Sequence, residues 1–461
     1  MNRYLLCLFF VSFTACNLEQ KNAPTIFAGE IVNPTSGTVI LFKDDIAVDS
    51  AYLDMHNRFS FTLDTLEAGL YNFHHSPQYQ YVYLSEGDSL LLRLNTNYFD
   101  ESLVFSGIGE EINNFLIEVF LNSEEEDKLI ETYYTLEPKE FSQKIDSLRQ
   151  LKIALLGELQ TESQLSPQSL AMANATINYT SYINKEKYPF KNPKNSKKRS
   201  LEKMNGDFYE YRKELDFDDK ELTFFTPYYD FMKRYFDNLA FAGCATDCDE
   251  ENKTIKNQLH FNRHKLVLID SIVKEKKLRD NLFRSVAMTY FLKVHDNVEN
   301  NKIFFDAFQE LSGNNMHINE IHNLYESVLK MQPNHELPDV QVLDSIGNKV
   351  SIKEIALQND TVVFYFWTPK NNRHFKNITN QAKLLATQYS DISFVAISLS
   401  NDEESWKNTI KESNQTFKNE YKAVHIDSLR NTLIIDGLNK AIVTKNGVIV
   451  DAYRDMYALM R

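Results

Sequence analysis

The chain has 461 residues, and at about 100 to 200 residues per domain that length predicts two to four domains rather than one small fold. Hydrophobic residues make up 43% and charged residues 25%, which excludes wholesale disorder and a polytopic membrane protein; 13 glycines and 11 prolines, against roughly 32 and 23 at average usage, predict long helices and exclude collagen-like or glycine-punctuated architectures. The formal charge of −14 argues against non-specific attraction to nucleic acid or anionic lipid as the main activity, so no nucleic-acid partner is expected.

Residues 1–15, MNRYLLCLFFVSFTA, place Arg3 ahead of an apolar run from Tyr4 to Phe13 and end on Thr14 and Ala15. This reads as a signal peptide, too short to span a bilayer as a helix. Because the small residues run directly into Cys16, the segment resembles a bacterial lipoprotein signal. The resemblance implies that Cys16 is lipidated, palmitate included, and becomes the first mature residue, with residues 16–24 as a tether; an ordinary cleaved signal with an incidental cysteine is the alternative. Anchoring of this kind implies a membrane partner through lipid and an outer-membrane lipoprotein facing the periplasm or the cell surface.

Residues 25–109 read as a β-sandwich. Period-two alternation runs through Phe59, Phe61 and Leu63 and through Leu90, Leu92 and Leu94, with turn signals at Ser36-Gly37, Ala68-Gly69 and Glu86-Gly87-Asp88. The spacing predicts a small antiparallel sandwich without a ligand cluster.

Residues 110–332 read as an all-helical middle domain. Leu278, Leu282, Val286 and Tyr290 follow at four-residue steps, and Ile321, Leu324, Tyr325 and Val328 repeat the helical stripe. The aromatic stretch at residues 223–236 is expected to be core, with a stacking surface for peptide or glycan as the other reading. Residues 185–203 hold eight Lys and Arg against two Glu, a basic patch expected on a solvated loop, with an acidic partner or lipid headgroups as the alternative.

The same region carries Cys244, Cys248, His260 and His264, a spacing close to that of a two-Cys, two-His zinc site. The aromatic and leucine positions of a zinc finger's small core are taken by Asn252 and Asn257. In an exported chain the expected state is a local disulfide between Cys244 and Cys248 on a loop next to Gly243, with no metal; two reduced thiols or a metal site are the other possibilities.

Residues 333–461 alternate strand-like runs at 361–367 and 392–399 with helical runs at 372–389 and 402–413, and close on a hairpin at 440–453 turning at Asn446-Gly447. That order predicts an α/β domain with a central mixed sheet. It resembles a thioredoxin-like fold of the peroxiredoxin and thiol-disulfide-oxidoreductase type, on ELPDVQVLDSIGNKVSIKEI (336–355), VVFYFWTPKNNRHFKN (362–377), SLSNDEESWKNTIKES (398–413) and NKAIVTKNGVIVDAY (439–453). The front half resembles the β-rich domain that precedes such modules in Bacteroidetes lipoproteins, with FSGIGEEINNFL (105–116) as the junction.

Departures from the resemblance decide the expected function. Alignment on Phe366-Trp367 puts Lys370 at the family's active-site tryptophan, Asn371 at its first active-site cysteine and His374 at its second, and Asn439 at the cis-proline that faces them. Disulfide exchange needs a thiolate, so the resemblance implies a degenerate redox site, with Asn371 capping a helix beside a solvated His374. No catalytic residue and no cofactor are assigned. The expected role is a redox-inactive binding or scaffold subunit of an outer-membrane complex with an envelope protein partner. The rivals are a thiol-disulfide oxidoreductase using Cys244 and Cys248, and a peptide- or glycan-binding lipoprotein.

Overall fold

The computed structural model describes residues 24–192, 204, 206–244, 248–249, 254–255, 257–413 and 419–459. The expected signal peptide, Cys16 and most of the basic segment after Asn192 lie outside them. By contact the chain groups into two compact units, Met1–Tyr182 with Phe224–Tyr228, and Ile183–Thr223 with Tyr229–Arg461. Strands give way to helices at Glu110, and helices to a mixed strand and helix pattern after Lys330, while the division between units falls inside two helices of the middle region.

The first unit begins with eight strands: β1 Thr25–Val32, β2 Thr38–Lys43, β3 Ile46–Tyr52, β4 Arg58–Leu63, β5 Gly69–His75, β6 Gln78–Leu84, β7 Ser89–Asn95 and β8 Val104–Ile108. They form two four-stranded sheets, ordered β4-β1-β7-β8 and β3-β2-β5-β6. Phe27, Phe61, Leu92 and Phe105 of the first sheet meet Leu41, Phe73 and Val82 of the second in one core. The inward residues alternate with outward ones along β2, β4 and β7, whereas β5 is buried on both faces and β3 is mostly exposed. The expectation of an all-antiparallel sandwich needs correction, because β1 pairs with β7 in parallel. The two strands are far apart in sequence, and a pair not joined by a hairpin is free to run either way.

Helix α1 Glu110–Tyr133 is followed by α2 Pro138–Ser163 and α3 Pro167–Lys191. Asn113 pins α1 to the sandwich: buried to 1% exposure, it accepts from the Tyr83 amide at 2.7 Å and donates to the Tyr83 carbonyl at 2.8 Å, completing the edge of β6. The expectation that residues 185–203 open as a solvated loop is corrected at its start, since α3 runs through Lys191 with Pro189 inside it and Lys185 is buried.

Helix α4 Thr226–Gly243, in the second unit from Tyr229 on, is followed there by the short strands β9 Cys248–Asp249 and β10 Thr254–Ile255, then α5 Gln258–Ile272, α6 Lys276–Thr289, α7 Val298–Ser312 and α8 Ile318–Lys330. The stripe from Leu278 to Tyr290 is buried along its length. Of the aromatic residues in 223–236, Phe225, Tyr228, Phe231, Tyr235 and Phe236 are buried and Phe224 and Tyr229 half-buried, so this stretch is mostly core, as expected.

The C-terminal domain contains β11 Gln341–Leu343, β12 Lys349–Ser351, α9 Ile352–Leu357, β13 Thr361–Trp367, α10 Asn372–Gln388, β14 Ile392–Ser398, α11 Glu403–Glu412, β15 Glu420–Ala423, α12 Ile426–Thr432, β16 Lys440–Lys445 and β17 Val448–Asp455. They build one mixed sheet ordered β12-β11-β15-β14-β13-β16-β17. Strands β13, β14 and β15 pair in parallel, and β16 and β17 add antiparallel. Central β13 is buried on both faces, as its unbroken apolar run requires. Val363, Tyr365 and Trp367 on one face pack with Phe375 and Ile378 of α10 and with Trp406 of α11. The closing hairpin turns at Asn446 (φ 50°) and Gly447 (φ 77°); positive φ at both central residues is the backbone that suits Asn-Gly.

Candidate functional site

The sheet delivers β13 into the turn Thr368-Pro369-Lys370-Asn371, closed by the Asn371 amide bonding to the Thr368 carbonyl at 3.1 Å. Asn371 then caps α10: its side-chain oxygen accepts from the His374 amide at 3.0 Å, satisfying one of the orphan amides of the first turn. The expected helix cap is therefore in place. The expectation of a solvated His374 is corrected. Its ring is half-buried, and Nε2 lies 3.1 Å from Oδ1 of Asn439, across from the loop that leads into β16.

That contact fixes the chemistry of the imidazole. With the Asn439 amide placed so that Oδ1 faces the ring, the bond assigns the proton to Nε2, and Nδ1 is buried without a hydrogen-bond partner among the described residues. Burial lowers the pKa of His374 below its ordinary value, offset in part by the bond to Asn439, which favours the neutral ring. Asn371, His374 and Asn439 are thus brought together, as the alignment implied, with His374 bonded through its backbone amide to Asn371 and through its ring to Asn439. Residues 333–461 contain no cysteine. The set can hydrogen-bond a polypeptide or hold a proton, but it has no sulfur to form a mixed disulfide.

Directly behind Asn439 stands Lys440, which the sequence reading passed over. Its side chain is buried, and Nζ donates to the carbonyls of Leu433 at 2.9 Å and Ile434 at 2.5 Å. Burial pushes it down to about 7, against the opposing pull of Asp436 and Asp451. Nζ lies 4.5 Å from the centre of the Tyr453 ring, which in turn stacks on His295 at 4.3 Å. A lysine opening the run KAIV carries no sequence signal of burial, because at a strand's first position lysine ordinarily faces water.

The second sequence-predicted constellation lies at the end of α4. Cys244, at 1% exposure, follows the last residue of that helix and sits with Ala240, Phe241 and Phe261 in a small apolar cluster. Its Sγ lies 3.6 Å from Nδ1 of His264 on α5, and burial, together with the nearby His260, lowers the pKa of His264. Among the described residues, Cys244, His260 and His264 are the group whose ligand atoms converge. The expected bridge from Cys244 to Cys248 falls on a side chain outside the described residues.

The C-terminal domain is thioredoxin-like: residues 359–449 match the thioredoxin-like family model. Similar solved structures include the thioredoxin domain of a thiol-disulfide oxidoreductase from Bacteroides vulgatus, at 20% identity, covering 28% of this chain and 94% of that one with a TM-score of 0.23. A thiol:disulfide interchange protein from Bacteroides sp. aligns at 21% identity over 26% of this chain and 81% of that one, TM-score 0.21. A conserved protein of unknown function from Bacteroides fragilis aligns at 12% identity over 28% of this chain and 96% of that one, TM-score 0.24. No curated protein matches the chain.

Proposed function

We propose that this protein is a lipid-anchored component of the cell envelope whose thioredoxin-like domain is redox-inactive and serves as a binding or accessory subunit of an outer-membrane complex. The observation that carries this reading is the Asn371–His374–Asn439 set. Where the fold's dithiol would stand, Asn371 caps the helix through the His374 amide and the imidazole of His374 bonds to Asn439, so the fold's architecture persists without its reactive group. Fold alone does not supply function; what favours binding is the site's remaining capacity for hydrogen bonds at the exposed N-terminal turn of α10. The anchor rests on the lipoprotein-like run into Cys16.

Two outcomes are expected. In insulin reduction with dithiothreitol the full chain gives no acceleration over dithiothreitol alone, whereas the double variant Asn371→Cys, His374→Cys, which places a two-residue-spaced dithiol at a helix N-terminus, gains activity. Wild-type turnover that disappears in Cys244→Ser would instead establish the oxidoreductase rival. Affinity purification from detergent-solubilised membranes should recover a stoichiometric envelope protein, and recovery of the chain alone would overturn the accessory role.

A further inference from the structure

The Cys244–His264 cluster is not used by the function proposed above, and its geometry resembles a coordination sphere more than a chance contact. For a tetrahedral zinc ion with Zn–S of about 2.3 Å and Zn–N of about 2.05 Å, the sulfur-to-nitrogen edge is about 3.5 Å and the nitrogen-to-nitrogen edge about 3.3 Å. Sγ of Cys244 stands 3.6 Å from Nδ1 of His264, the length of that edge. All three donor atoms, one from His260 included, lie within 4.8 Å of one another, so the exposed His260 ring stands near the third corner of the triangle.

Two features do not follow from a lone thiol-to-imidazole hydrogen bond. The first is Gly243: a Cβ there would stand 2.4 Å from Cε1 of His264, so the ring occupies space that only glycine leaves open. The second is the placement of His260 and His264 one helical turn apart on α5, which puts both imidazoles on one face with ring centres 6.1 Å apart. The N-terminal turn of α5 is fixed for this by Asn257, whose side chain accepts from the His260 amide at 2.9 Å.

We infer that Cys244, His260 and His264 form a binding site for a divalent cation of the zinc class. One thiolate and two imidazoles suit zinc, whereas calcium and magnesium require oxygen ligands that this set lacks. The three ligands leave one tetrahedral position for water or a further ligand. The ion ties the end of α4 to the first two turns of α5 across residues 245–257, a clip that adds binding energy to the folded state. A disulfide at Cys244 and this site exclude one another, since the same sulfur serves both.

The test uses the full chain in detergent with a phosphine reductant and Co2+ as probe. Expected are tetrahedral d–d bands with a thiolate-to-cobalt charge-transfer band, saturating at one equivalent and displaced by Zn2+. Cys244→Ser should abolish the charge-transfer band. His260→Gln changes an exposed side chain; it should keep the wild-type circular dichroism yet weaken binding by more than the roughly 10- to 100-fold that loss of an outer-shell partner costs. A cobalt spectrum unchanged in both variants, or of octahedral form only, overturns the site. So does a quantitative Cys244–Cys248 disulfide in chain isolated from the envelope under alkylating conditions.

Discussion

Replacing Arg212 by leucine is expected to destabilise the second unit by about 3–5 kcal/mol, the range seen when one partner of a buried ion pair is removed. Glu186 is at 0% exposure, and its carboxylate is held by four donors: Arg212 Nε at 2.8 Å and Nη2 at 2.5 Å, the Tyr211 hydroxyl at 2.7 Å and Asn238 Nδ2 at 2.6 Å. Leucine fills some of the volume but leaves the carboxylate with two neutral donors and no counter-charge. The guanidinium also lies 3.7 Å from the centre of the Tyr209 ring, so packing is lost with the charge. The double variant Glu186→Gln, Arg212→Leu should lose less than Arg212→Leu alone, because the uncompensated charge, rather than the missing contact, is the costly species. Urea unfolding followed by circular dichroism measures both; equal losses in the two variants would show that packing, not charge burial, sets the cost.

This cluster shows where sequence reading stops. Strands β4 and β7, helices α6, α8 and α10, β13 and the closing hairpin are legible because each repeats an apolar residue at period two or 3.6, forms a short unbroken apolar run, or carries Asn-Gly at a two-residue turn, and these signals are local. Glu186 carries no such signal. It sits in a stretch of lysines that reads as a charged loop, and only the arrival of Tyr211, Arg212 and Asn238 from distant positions makes burial tolerable. The parallel pairing of β1 with β7 was illegible for a similar reason, since local alternation fixes which face is buried but not the direction of a remote partner.

The candidate site divides in the same way. Residue identities at 371, 374 and 439 were enough to expect a site without thiols, and the Asn371 cap follows from an amide directly ahead of a helical run. That His374 turns inward to Asn439 depends on a loop 65 residues on. Convergence of Cys244 with His260 and His264 was visible as spacing, but the missing aromatic and leucine of a finger core pointed away from it. Here α4, α5 and the Gly243 gap supply the packing that a finger's own small core would have provided.

Strand β15 was passed over altogether, and it yields the second large effect. Its sequence EYKA shows no apolar alternation, yet Glu420 and Lys422 are both buried at 6% exposure. Trp367 Nε1 donates to Glu420 Oε2 at 3.3 Å, while desolvation raises the carboxyl from 4.5 to about 8. The folded state therefore keeps a proton that the unfolded chain releases above about 4.5. This group's contribution is fully present below that pH and is lost as pH rises through about 8. Lys440 has the opposite sense: lowered from 10.5 to about 7, it leaves stability flat below about 7 and raises it at higher pH. Between pH 5 and 7 only Glu420 of the two changes stability. Across that window the wild-type protein should lose on the order of 2 kcal/mol from this carboxyl, at most about 1.4 kcal/mol per pH unit. Glu420→Gln keeps an acceptor for Trp367 and removes the titration, so its stability should be flatter by that amount. Urea midpoints read by fluorescence of the two buried tryptophans of this domain, Trp367 and Trp406, test the difference, and parallel pH profiles for the two proteins would show that Glu420 is not the group holding the proton.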